Sequence, residues 1–152
     1  MARVLRVKLG RDDKVELLKG IALFSECSKK ELRDIARLTQ EIAFDEGAVL
    51  IREGERGSEV FVVVDGTLAV SRGGEGTLAE VGPGQVVGEI ALLSNQPRSA
   101  TVTAATPVRA LRIAGIDFVE LLERMPLLWL KITRALADRI ANDERLQLHY
   151  DG

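Results

Sequence analysis

Glu89, Arg98 and Ser99 interrupt an otherwise apolar stretch, "VVGEIALLSNQPRSATVTA", which spans residues 86–104. A charge inside apolar surroundings is costly unless something pairs with it. Either Glu89 and Arg98 neutralise one another, or each meets a ligand. Their chemistry defines that ligand. A carboxylate accepts from hydroxyl groups, and a guanidinium offers two parallel N–H bonds that match a phosphate. Gly88 opens "GEIALL", which has the length of one or two helical turns, and backbone N–H groups at a helix start attract anions. Amides, arginine and carboxylate together describe a pocket for a ribose-phosphate.

Such a pocket needs elements to hold it. Alternation from Arg98 places Arg98, Ala100, Val102 and Ala104 on one face of a strand, and Ser99, Thr101 and Thr103 on the other. The arginine thus ends an inward-facing row whose small neighbours leave room beside it. Further strands are expected near 41–44, 48–52, 59–65, 67–72, 76–81 and 107–113, with residues 98–104 between the last two. They are separated by Gly47, Gly54, Gly57, Asp65-Gly66, Gly73-Gly74 and the "GPG" of 82–84. Asp65-Gly66, between "VFVVV" and "TLAV", carries the signal of a tight hairpin. Many short strands at this spacing predict a sandwich, jelly roll or barrel.

Helical periodicity flanks the strands. Before them, from Lys14 to about Gln40, Leu32, Ile35, Ala36 and Leu38 line one face, and Ser28 with Glu31 has capping-box spacing. After them, Asp117 is expected to cap "FVELLERM". Pro126 then opens a long helix, in which Trp129, Ile132, Leu136 and Ile140 form a seam. The expected fold class is α+β, mainly β: an antiparallel jelly roll or β-roll with helices on both sides. The expected divisions are an arm at 1–13, one domain at 14–145 and a tail at 146–152. Within the domain, helices occupy 14–40, the β-roll 41–113 and two C-terminal helices 116–145.

Composition narrows the function classes. With 21 basic and 23 acidic residues the formal net charge is −2, so no broad basic field points to nucleic acid. The early cluster Arg3, Arg6, Lys8 and Arg11 alternates with apolar residues and reads as a solvated strand or tail. Cys27 is the single cysteine, which rules out an internal disulfide and fits a small buried residue. No run approaches the roughly 20 apolar residues of a membrane span, and "MARVLRVKLGRDDK" lacks a secretory apolar core, so a cytoplasmic protein is expected. A jelly-roll metalloenzyme would need clustered histidines, but His149 stands alone. No acid–base or metal constellation suggests a hydrolase. The 73–76 loop does not match a P-loop. No enzyme activity, metal or cofactor is expected.

"GPGQVVGEIALLSNQPRSATV" closely resembles the phosphate-binding cassette of cyclic nucleotide-binding domains, roughly G-x-x-F-G-E-[ILM]-A-L-L followed by P-R-[STA]-A-[TS]-V. The resemblance extends through "FSECSKKELRDIARLTQEIAFDEGAVLIREGERGSEVFVVVDGTLAV" and covers about Val15 to Arg145. It implies a ligand site of Gly88, Glu89, Ile90, Ala91, Arg98, Ser99 and Ala100. Glu89 would take the ribose 2′-OH and Arg98 the cyclic phosphate, with the backbone N–H groups of Ala91 and Ser99 and the Ser99 hydroxyl completing the cradle. Val87 departs from the family's usual Phe, which puts the packing beneath the cassette in question. The triplet Arg98-Ser99-Ala100 resembles that of bacterial cAMP-responsive regulators, so cAMP is the expected ligand and cGMP the alternative. The final helix resembles the family's lid, which places Asn142, Asp143 and Glu144 near the purine. A solvated helix surface is the competing reading for the two acids.

These features predict a stand-alone cyclic nucleotide sensor that responds by closing its C-terminal helix. After "RLQLHYDG" no helix-turn-helix follows, so the output is expected through an unidentified effector chain, a homodimer or sequestration of ligand. The alternatives are a ligand-free β-roll serving as a structural or protein-interaction module, and a detached regulatory piece of a larger channel or transcription factor.

Overall fold

A computed structural model describes residues 4–7, 10–88 and 96–142. The strands among these described residues are β1 (Val4–Val7), β2 (Thr39–Phe44), β3 (Val49–Ile51), β4 (Glu59–Asp65), β5 (Leu68–Ser71), β6 (Thr77–Val81), β7 (Val86–Val87), β8 (Thr101–Ala104) and β9 (Val108–Ala114). Among the described residues four α-helices flank them: α1 (Arg11–Lys19), α2 (Lys29–Leu38), α3 (Gly115–Arg124) and α4 (Pro126–Asn142). A 3-10 turn at Ala22–Phe24 joins the first two. The strands form two sheets, ordered β1-β2-β9-β4-β7 and β3-β8-β5-β6, and the pairings are antiparallel. This is the expected β-roll with helices on both sides.

The run "VFVVV" explains why the layers hold together. In β4 the side chains alternate between two faces, and both faces are covered. Val60 and Val62 join Leu111, Ile113, Leu18, Phe24, Ile35, Phe118 and Leu121 between the five-stranded sheet and the helices. Phe61 and Val63 join Phe44, Leu68, Val102 and Ala110 between the two sheets. There the rings of Phe44 and Phe61 meet edge to face, 5.8 Å apart at 77°.

Several local expectations hold. Ser28 Oγ accepts from Glu31 N at 3.1 Å, Glu31 Oε1 accepts from Ser28 N at 2.8 Å, and α2 is thereby capped in both directions. The 73–76 loop is a hairpin turn joining β5 to β6. Val102 and Ala104 point inward, as the alternation predicts.

Others need correction. Asp65-Gly66 does not close a hairpin, because β4 and β5 belong to different sheets. The turn is a crossover pressed against the chain before β9. A β carbon at Gly66, where φ is +92°, would lie 2.3 Å from Pro107 O. Asp117 does not cap α3. The helix already begins at Gly115 after Ala114, with no side-chain cap, and Asp117 sits in its first turn. α1 starts at Arg11 rather than near Lys14. Trp129 leaves the expected seam and is 44% exposed, whereas Leu128 and Ile132 are buried. The side chains of Leu136 and Ile140 lie outside the described residues. The strand expected at 98–104 starts at Thr101, because the backbone of Arg98 is taken up by another loop.

Candidate functional site

Arg98 is only 7% exposed. Its backbone is fixed first: Arg98 N donates to Glu55 O at 2.9 Å, and Gly54 N donates to Arg98 O at 2.8 Å. The 54–57 turn therefore runs alongside the residue and sets where its side chain begins. The guanidinium then spans two strands. Nη1 donates to Gly88 O, just after β7, and Nη2 donates to Glu59 O, the first residue of β4, each at 2.6 Å. Carbonyl acceptors orient a guanidinium, and bonds involving an ionised group are the strong ones. The arginine side chain is thus held by two backbone carbonyls.

Gly88 owes its identity to this contact. Its φ is +95°, and a β carbon there would lie 2.7 Å from Glu59 O and 2.9 Å from Arg98 Nη1. Only a glycine turns the chain this way while letting the arginine reach its carbonyl. Val87, the departure from the Phe of the resemblance, is 4% exposed and pairs opposite Phe61.

Ser99 is exposed and its carbonyl accepts from Arg72 Nε at 3.0 Å, while Ala100 is half-buried at the start of the inward row. Gly88 and Arg98 are therefore brought into direct contact, with Ser99 and Ala100 following on the same segment. Glu89, Ile90 and Ala91, and Asp143 and Glu144 of the expected lid, lie outside the described residues, as does the side chain of Asn142.

The structure adds partners that the sequence reading had not singled out. Glu59 presents its carbonyl to Arg98 and its carboxylate to Arg112 Nε, and Arg112 Nη1 reaches Gln40 Oε1 at 2.9 Å. Beside it, Ser58 O accepts from Gly115 N at 2.5 Å, tying the start of β4 to the first residue of α3. No residue-type pattern signals a role played by backbone carbonyls, so sequence alone had no means of finding Ser58 or Glu59.

The remaining candidates fall away or shift. Cys27 is half-buried rather than fully buried and borders a groove between the start of α2 and the α3–α4 junction. Burial pushes its thiol above the usual cysteine range, and Glu31 and Glu26 push the same way against Lys131. That is the opposite of an activated nucleophile. Among the described residues no group of acidic, histidine and cysteine side chains is placed to hold a metal ion. No described helix is long and apolar enough to cross a membrane.

Comparison with known proteins decides the family. Residues 41–125, more than half of the chain, match the family model described as "Cyclic nucleotide-binding domain". The chain belongs to the cyclic nucleotide-binding domain family. Similar curated proteins include a cyclic nucleotide-gated potassium channel of Mesorhizobium japonicum, 38% identical over 73% of this chain and 30% of the channel. A cAMP-dependent protein kinase regulatory subunit of Mycosarcoma maydis is 38% identical over 69% of this chain and 21% of that protein. The chain thus spans less than a third of either relative. Among solved structures, a cyclic nucleotide-binding domain of Methylobacillus flagellatus aligns with TM-score 0.71 and 25% identity, over 97% of this chain and 86% of that one. In this cyclic nucleotide-binding domain the two sheets are the β-roll, and α3 and α4 are the helices that follow it.

Proposed function

We propose that this chain is a cyclic nucleotide sensor module, in the part formed by residues 14–145, that binds cAMP at the corner occupied by Gly88 and Arg98. The observation that carries the reading is the buried Arg98 guanidinium, oriented by the carbonyls of Gly88 and Glu59. Arg98 takes the cyclic phosphate, Glu89 the ribose 2′-OH, and the Ala91 and Ser99 N–H groups with the Ser99 hydroxyl complete the cradle. The curated relatives support a cyclic nucleotide as ligand, being named for cyclic nucleotide gating and cAMP dependence. The Arg98-Ser99-Ala100 triplet favours cAMP over cGMP. The module itself is not an enzyme, and a cytoplasmic setting suits both the ligand and the single cysteine.

Binding is read out by α4, with Asn142, Asp143 and Glu144 reaching the purine when the helix closes. A ligand that touches both cassette and helix only in the closed state shifts the population toward it, by no more than its difference in affinity for the two states. The bonds Arg98–Glu59 and Ser58–Gly115 lie on adjacent residues, which supports this coupling. Apolar side chains left exposed on the same helices, Ile116 at 81% and Leu127 at 52%, favour an effector chain or a second copy as the recipient of the signal.

Calorimetric titration of nucleotide-stripped protein with cAMP and cGMP tests the site. We expect one ligand per chain, cAMP the tighter. Arg98→Ala removes bonds from a charged group to a charged ligand, each worth about 1.5–3 kcal/mol, so affinity falls about a hundredfold or more. A folded protein that binds neither nucleotide would overturn the reading in favour of a ligand-free interaction module.

A further inference from the structure

Gly57 lies directly beneath the Arg98 side chain. A β carbon built there would sit 1.6 Å from Arg98 Nε, 1.9 Å from Cζ and 2.2 Å from Nη2, all far inside van der Waals contact. The backbone does not explain the residue, because Gly57 is not among the glycines with positive φ. What this position requires is empty space, and the guanidinium fills it. The turn cannot easily back away, since Gly54 N and Glu55 O hold the backbone of Arg98 at 2.8 and 2.9 Å. Any side chain at 57 must therefore displace the far end of the arginine and break its bonds to Gly88 O and Glu59 O.

We propose that Gly57 is a positioning residue for Arg98: the missing side chain is what lets the guanidinium lie buried across the 54–57 turn and face the nucleotide. The proposal rests on the reading that Arg98 pairs with the ligand's phosphate, but its structural half stands apart from ligand. Gly57→Ala adds one methyl group to a turn whose φ any residue accepts, so the fold survives while the arginine moves. Arg98→Ala removes the obstacle, and in that background Gly57→Ala becomes harmless.

The test uses the full chain and four proteins: parent, Gly57→Ala, Arg98→Ala and the double variant. Without ligand, the Arg98 Nε–H resonance, assigned by its loss in Arg98→Ala, should shift in Gly57→Ala. Thermal unfolding should show Gly57→Ala lowering the midpoint of the parent but leaving that of Arg98→Ala within about a degree. Calorimetry with cAMP should show Gly57→Ala binding at least tenfold more weakly than parent. An unshifted resonance, equal losses of stability in both backgrounds, or parental affinity would overturn the proposal. If Gly57→Ala alone fails to fold, a folded double variant supports the clash and an unfolded one refutes it. If the parent binds no cyclic nucleotide, the functional reading fails, and the resonance and unfolding results still decide the role of Gly57.

Discussion

Glu41 is fully buried on the helix-facing side of β2, and its Oε1 accepts from Arg109 of β9 at 2.5–2.7 Å. The two residues are diagonal neighbours, since Glu41 pairs opposite Leu111 and Ala43 opposite Arg109. Among the described residues, Glu41 Oε2 has no hydrogen-bond partner. A carboxylate in this position depends heavily on one cation. Removing one partner of a buried pair typically costs more than the pair itself contributes, because the other charge stays behind. Arg109→Ala should therefore destabilise the protein by about 3 kcal/mol. Replacing both residues by leucine should cost much less, and urea unfolding measures each. Sequence did not reveal this pair: "TQEIAF" puts Glu41 in a strand, but a half-covered sheet would have left it in water. Arg98 was legible for the opposite reason. An arginine beside small apolar residues is conspicuous in sequence, and it is buried in the structure, although the 54–57 turn rather than β8 holds its backbone.

Element boundaries were legible where a single local interaction sets them. Ser28 and Glu31 mark the start of α2 in sequence and bond each other's backbones in the structure. Ser28→Ala removes the cap and should cost about 1 kcal/mol, seen as a lower urea midpoint at unchanged slope. The Asp65-Gly66 turn was misread because its local signal is that of a hairpin, while the partner of each flanking strand is chosen far away in the chain. β4 is claimed by β9 and β7, and β5 by β8 and β6. Pairing between sheets depends on which apolar faces meet, and both faces of "VFVVV" are apolar. Trp129 left its expected seam in the same way: the spacing fits, but the interior takes Leu128 and Ile132.

At the scale of the whole molecule, a ligand that binds only the folded state adds stability as its concentration exceeds its dissociation constant. At a hundredfold excess the gain is about 2.7 kcal/mol. Saturating cAMP should accordingly raise the thermal midpoint of the parent by several degrees and that of Arg98→Ala far less. Trp129 is the only tryptophan in the chain and lies partly exposed on α4. Its emission should follow the same titration if the helix moves.

The strand order carries a consequence for how the protein is made. β9 lies between β2 and β4, the earliest and middle parts of the roll, and β8 lies between β3 and β5. Each sheet is therefore split until a strand from the last third of the roll arrives. A ribosome that has released residues up to Pro107 has supplied α1, α2 and the strands before β9, yet the five-stranded sheet lacks its centre. Contacts between distant parts of a chain are slow to form. Nascent chains halted before Val108 should remain protease-sensitive, and those extended through β9, α3 and α4, which complete the same core, should acquire protection in a single step.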